Sequence, residues 1–133
     1  MIKLSCDPLT AEKLSLGSPE RLACLECGLS PHCETPFSLP FVPKGWTKKL
    51  LVKGEAFGEH EDEISHRPFT GPAGKLLRRL WRVAGFSDLD VALVNAVRCR
   101  PRKNATPGMR EVRACRPFLL RVVDALKPDM VIG

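Results

Sequence analysis

Three short apolar runs are separated by two stretches of helical periodicity, and this alternation limits what the chain can fold into. Lys49-Leu50-Leu51-Val52, closed by Gly54, reads as a buried strand. Ala73 to Ala84 is the clearest helix. Leu76, Leu77, Leu80, Trp81 and Ala84 recur at helical spacing and should face a core, with Lys75, Arg78, Arg79 and Arg82 opposite. Gly85 supplies its stop. Val91 to Val94, ending at Asn95, is the second strand. Val112, Cys115, Leu119, Val122 and Leu126 then recur at steps of three and four. Thr106-Pro107 offers an N-cap and a first helical residue, and Pro117 predicts a kink or a helix in two pieces. Pro128 ends that helix, and Met130-Val131-Ile132 begins a third strand. The pattern predicts a single α/β domain over residues 1–133, a short parallel sheet in a three-layer α/β/α arrangement. A strand followed at once by Gly133 reads as a domain cut short at its C-terminal side, with the last strand and helix absent. Residues 9–24 read as a helix broken at Gly17-Ser18-Pro19, residues 28–47 as a loop crossing the surface, and residues 54–74 as a turn-rich loop.

Composition narrows the function. The 133 residues are 44% hydrophobic and 27% charged, which excludes a wholly disordered or collagen-like chain. No run reaches the ~20 apolar residues of a membrane span. The stretch MIKLSCDPLTAEKL lacks a long apolar core and a small-residue cleavage site, so a cytoplasmic protein without a membrane partner is expected. There the six cysteines (Cys6, Cys24, Cys27, Cys33, Cys99 and Cys115) favour metal ligation or redox use over disulfides. The net charge is +6, unevenly spread. Arg98 to Arg121 carries eight cationic side chains against the single acid Glu111, whereas Glu55 to Glu63 carries five acids and no Lys or Arg. The basic segment favours a polyanionic partner, most simply nucleic acid, against the alternative of a solvated surface.

Ligands of open α/β sheets bind beyond the carboxyl ends of the strands. Two segments qualify here: the Gly-rich one after Val52, offering backbone N–H groups near Gly54, Ala56 and Gly58, and the one beginning at Asn95, which brings a carboxamide. Cys24 and Cys27 form a C-x2-C pair, and Cys99 and Cys115 a more distant one. Zinc and an iron–sulfur cluster both fit this spacing, and Cys24, Cys27, His32 and Cys33 offer a local zinc knuckle as a rival. Cys6 and Cys33 otherwise read as free thiols.

The segments GEAFGEHED (54–62), RPFTGPAGKLL (67–77), VNAVRCRP (94–101) and ACRPFL (114–119), with the N-terminal C-x2-C, closely resemble the iron–sulfur, or family 4, uracil-DNA glycosylases. The resemblance runs over roughly residues 20–133. It implies that Cys24, Cys27, Cys99 and Cys115 ligate a [4Fe–4S] cluster of structural role, with Cys33 outside it. It implies that the Glu55 loop forms one wall of a uracil pocket, that Phe69 stacks on the flipped base, and that Asn95 reads uracil. Glu61 is the candidate for a wall near uracil C5 that excludes thymine. Ala56 stands where some other uracil-DNA glycosylases place a water-orienting aspartate.

The implied reaction is hydrolysis of the N-glycosidic bond of uracil flipped out of DNA, by a protein that is monomeric at full length. Two departures bear on the pocket wall: Phe57 replaces a usual proline, and the 59–69 stretch is one residue longer than the common version. The family's second motif, His-Pro-Ser, has no counterpart around His32, His60 or His66. Little or no excision by the 133 residues alone is therefore expected. The rival readings are a non-catalytic, metal-stabilised nucleic-acid-binding module and a zinc-bound protein-interaction domain.

Overall fold

The computed structural model describes residues 26–133. The 9–24 helix, Cys6 and Cys24 lie outside the described residues. Strands β1 (Leu50–Ala56), β2 (Val91–Val97) and β3 (Met130–Ile132) form a parallel sheet in the order β2-β1-β3. Helices α1 (Pro72–Val83) and α2 (Met109–Leu126) provide the crossovers. Successive strand residues point to opposite sides of a sheet, and each side here has its own cover. Leu51, Ala92 and Val94 pack with Val122 and Leu126 of α2. Leu50, Val52, Val91 and Leu93 pack with Trp81 of α1. The helices therefore lie on opposite faces, and the expected three-layer α/β/α arrangement is the one found. No helix among the described residues is long and apolar enough to cross a membrane.

The strands outrun their apolar cores. β1 continues through Lys53-Gly54-Glu55 to Ala56, and β2 continues past Asn95 to Val97. A ladder of backbone hydrogen bonds needs no apolar side chain, so hydropathy alone ended both strands too early. This places Gly54 and Ala56 in a paired strand rather than a loop, with Gly54 in register with Asn95 and Ala56 with Val97.

Helix α1 is rotated from its expected orientation. Its inward stripe is Gly74, Leu77 and Trp81, while Leu76 and Leu80 are each 56% exposed and Ala84 is also exposed. The cause is a close approach of backbone. A Cβ built on Gly74 would lie 1.9 Å from the Phe69 carbonyl oxygen, so only glycine can face that turn. Helix α2 starts after an N-cap at Gly108, two residues beyond the expected Thr106, and runs unbroken through Pro117. The exposed Pro117 removes one backbone donor. Buried Cys115 on one side of it, and Val122 and Leu126 on the other, hold the helix in one piece.

Residues 28–47 do not cross the surface as a loop. Thr35 and Phe37 to Pro40 are buried, as is Val42. Phe41 N–H donates to the Leu93 carbonyl and Leu93 N–H to the Phe41 carbonyl, both at 2.8 Å, and Ser38 N–H donates to the Arg98 carbonyl at 2.8 Å. The segment is a strap bonded along the outer edge of β2. Its prolines mark extended chain as readily as a turn, which is why composition suggested a loop.

Candidate functional site

A cavity of about 620 Å³ opens beyond the carboxyl ends of β1 and β2. Gly54, Glu55, Ala56, Gly58, Glu61, Phe69 and Asn95 all line it, so the residues expected to form a base pocket are brought to one place. The tightest part is at Gly54. A Cβ there would lie 2.4 Å from Phe69 Cζ and 2.5 Å from Asn95 Oδ1. The ring and the buried amide thus close on the same Cα, and the register of β1 with β2 sets their spacing.

Phe69 occupies the left-handed region, at φ 58°. That conformation costs a bulky L-residue ~1–2 kcal/mol and persists only where the surroundings over-determine it. Here the Phe69 backbone rests on Gly74, and its carbonyl accepts from Arg78 Nη1. The ring is fixed as a wall of the cavity before any ligand arrives.

The opposite wall is a π-helical turn, Glu61–Ser65, that hydropathy gave no sign of. Glu61 Oε1 accepts the N–H of Gly71, the N-cap of α1, at 3.1 Å, so its side chain spans from the turn to the helix start. Asp62 is 1% exposed. It accepts from Thr35 N–H at 2.8 Å and Glu34 N–H at 3.3 Å, while Thr35 Oγ1 donates to its carbonyl at 2.8 Å. It therefore pins the segment just after Cys33 to the cavity wall. Arg100 meets the same turn from the β2 side. It pairs with Glu63, lies 3.5 Å from Glu59 and 3.9 Å from Asp62, and donates through Nε to Asn104 Oδ1 at 2.8 Å.

At the same end of the sheet Cys99 and Cys115 are buried with Leu29, Phe37 and Val97, and Cys27 and Cys33 pack against them half-buried. Three of the four expected ligands thus share one neighbourhood. Among the described residues no three His, Cys, Asp or Glu side chains are grouped so as to hold a metal ion. These soft sulfur donors, sequestered together, suit a thiolate-bound group in kind. Cys33, read as a free thiol without a role, instead contacts Cys99. That contact draws Cys33 below the ordinary thiol range against the opposing effect of its burial, while the same contact and burial together push the Cys99 thiol far up. The local knuckle is not assembled by His32, whose Nε2 meets Arg102 Nη2 on the surface.

The basic segment is not one uniform cationic surface. Arg98 is buried, donating to the Ser38 and Phe37 carbonyls at 3.1 and 3.2 Å and stacking 4.8 Å over Phe118. Arg100 is engaged by acids. Arg102, Lys103, Arg110, Arg113 and Arg116 remain exposed. The stripe on α1 lies across the sheet from α2, so the two cannot merge into one face; in it Arg82 pairs with Asp88 and Arg78 serves Phe69. The polar cavity residues Glu59, His60, Glu63 and Asn104 escaped the sequence reading, as did Ile64 and the lining that α1 and its N-cap contribute. The uncompensated acidic run between Glu55 and Glu63 was the available signal for the first three.

Residues 40–133 match the family described as the Uracil DNA glycosylase superfamily. Similar curated proteins include the type-4 uracil-DNA glycosylase of Saccharolobus solfataricus, 38% identical over 124 residues that take in 91% of this chain and 55% of that protein. That of Pyrobaculum aerophilum is 43% identical over 84 residues, 63% of this chain and 42% of that protein. That of Thermotoga maritima is 42% identical over 85 residues, 64% of this chain and 44% of that protein. The chain spans about half the length of the curated relatives it matches.

Proposed function

The chain belongs to the Uracil DNA glycosylase superfamily, and from that premise we propose that it forms the base pocket of a uracil-DNA glycosylase of the type-4 kind, acting in base excision repair on uracil-containing DNA. The observation that carries this is the convergence of the Phe69 ring and the Asn95 amide on Gly54 inside one cavity.

A glycosidic bond is inaccessible in stacked DNA, so the uracil must be turned out of the helix. Phe69 offers the everted ring a stacking partner worth ~1–3 kcal/mol. The Asn95 carboxamide accepts from uracil N3–H and donates to O4; cytosine presents the reverse pattern. A mismatched buried amide leaves groups unpaired at ~1–3 kcal/mol each. The bond between C1′ and the pyrimidine N1 breaks with its electron pair leaving on uracil, and water supplies hydroxide to C1′. Donors already aimed at the developing anion are the main lever on such a step. With Gly54 and Ala56 taken up in the strand pairing, the backbone N–H groups just past the end of β1, at Phe57 and Gly58, are the candidates, and Glu61 bounds the pocket toward α1.

The placement of Cys27, Cys99 and Cys115 together supports a [4Fe–4S] cluster held by these three and Cys24. Such a cluster would tie the N-terminal segment to the start of the β2 loop and to α2, and can exchange an electron. Iron and acid-labile sulfide per chain, before and after Cys99→Ser, test the assignment.

Fluorescence anisotropy with a single-stranded oligonucleotide carrying one uracil, against its thymine twin, tests the pocket. The chain should prefer uracil. Phe69→Ala should weaken uracil binding about 5- to 150-fold, the range of one stacked base, and Asn95→Ala should abolish the preference for uracil. Equal binding of the two oligonucleotides by the unaltered chain would refute the proposal.

A further inference from the structure

The cavity that would take a base from a polyanion has an acidic wall. Glu55, Glu59, Glu61 and Glu63 all line it. A strand delivering uracil there brings a phosphate on each side of the base, and carboxylates left uncompensated at the mouth would oppose its docking. Glu61 is occupied by the Gly71 N–H. Glu59 and Glu63 both reach solvent, where an approaching strand would meet them.

Arg100 answers both. It follows β2, lies outside the cavity lining, and its side chain is only 18% exposed. Its Nη1 pairs with Glu63, and its Nη2 lies 3.5 Å from Glu59 Oε2. Its Nε donates to Asn104 Oδ1 at 2.8 Å, and Asn104 Nδ2 donates to the same Glu59 oxygen at 3.2 Å. The guanidinium fork thus offers a separate nitrogen to each partner, and the Asn104 amide closes a ring back to Glu59. Both carboxylates are drawn toward a cation that is not itself part of the cavity surface.

We propose that Arg100 is a positioning residue of the base pocket, which holds and neutralises the carboxylates of Glu59 and Glu63 so that the acidic wall admits a phosphodiester strand. The proposal rests on the uracil reading above and adds what makes the cavity compatible with a charged substrate. Arg100 acts through the two glutamates rather than on the reacting atoms. Its guanidinium, taken up by carboxylates and an amide, helps the strand by removing repulsion rather than by binding phosphate.

The test uses a labelled single-stranded oligonucleotide with one deoxyuridine, its thymine twin, and a version whose two phosphates beside the deoxyuridine are methylphosphonates, alike in shape but uncharged. Anisotropy would be read at about 0.1 M salt, where charges beyond ~10 Å are largely screened. Arg100→Gln should lose about tenfold in affinity for the phosphodiester, the scale of one unit charge a few ångströms from a phosphate, and stay within about threefold for the methylphosphonate. Arg100→Gln/Glu63→Gln restores the local charge and should recover phosphodiester binding to within about threefold of the unaltered chain. Glu63→Gln alone leaves Arg100 in excess and should tighten phosphodiester binding about threefold or more without tightening the methylphosphonate; it decides the matter if Arg100→Gln does not fold. Equal losses on the two backbones in Arg100→Gln would make Arg100 a prop for the wall and overturn the proposal, as would no loss, no recovery in the double variant, or no tightening in Glu63→Gln. With uracil still preferred to thymine by the unaltered chain, those results leave the pocket reading standing. A chain that does not distinguish uracil from thymine overturns the pocket reading and this proposal with it.

Discussion

Gly74→Ala is a substitution for which helix propensity and tertiary structure predict opposite signs. Gly74 lies three residues into α1. Alanine there should stabilise an isolated helix by ~1 kcal/mol. In the folded chain the added methyl would lie 1.9 Å from the Phe69 carbonyl oxygen, 2.2 Å from its carbon and 2.7 Å from its Cα. These are backbone atoms, so no side-chain rotation relieves the clash. Either α1 lifts from the sheet or the Phe69 turn moves. Overpacking of this kind costs ~1–3 kcal/mol, and displacing the turn also gives up the Arg78 bond to the Phe69 carbonyl, ~1 kcal/mol. Loosening the partly buried Phe69 ring from Leu50, Val52 and Trp81 adds ~1 kcal/mol. Set against the propensity gain, the expected net is a destabilisation of about 2–4 kcal/mol. Urea unfolding followed by tryptophan fluorescence would measure it, with the slope unchanged if the denatured state is unaffected. A midpoint equal to or above that of the unaltered chain would show that the Phe69 backbone does not press on α1, and the account of the fixed ring would fail.

Two further outcomes follow from buried carboxylates. Asp62→Ala leaves the Thr35 and Glu34 amides without their acceptor and should cost about 3–5 kcal/mol in the same assay; Asp62→Asn, which keeps one acceptor oxygen, should cost less than half as much. Asp90 is held down at about 2 by hydrogen bonds from Ser87 N–H and Thr47 Oγ1, helped by Lys49. An unfolded aspartate titrates near ~3.9. The stabilisation from Asp90 is therefore complete above that value and is lost as pH falls from about 4 through about 2. Asp90→Asn should flatten the acid limb of a stability–pH curve in that interval, and an unchanged limb would remove Asp90 from the explanation.

The sheet was legible because a doubly covered parallel strand must be apolar on both faces, and Leu50 to Val52 and Val91 to Val94 are. What hydropathy missed lies where backbone geometry decides. Nothing in the periodicity of α1 says that Gly74 turns inward, because the cause is the Phe69 turn five residues earlier. The strap over β2 is rich in proline and was mistaken for surface. Of the pocket residues, Gly54 and Asn95 were reached from their place at the carboxyl ends of strands and took on base-reading roles through resemblance to a family, whereas Phe69 was found through that resemblance alone, since a phenylalanine in a loop has ordinary explanations of its own. His60 and Asn104 were missed because their approach to the cavity depends on the π-helical turn and on the paired left-handed residues Lys103 and Asn104. Cys33 was set aside because sequence spacing does not reveal its contact with Cys99.

The strap along β2 also gives the sheet a direction of growth. With Phe41 bonded to both backbone groups of Leu93 and Ser38 to the Arg98 carbonyl, an incoming strand finds that border obstructed. Among the described residues the opposite border, where Met130, Val131 and Ile132 are each about half exposed, is the one that can recruit another strand. Among the described residues, that side is the one left open to extension of the sheet, by the same polypeptide or by a neighbour during aggregation.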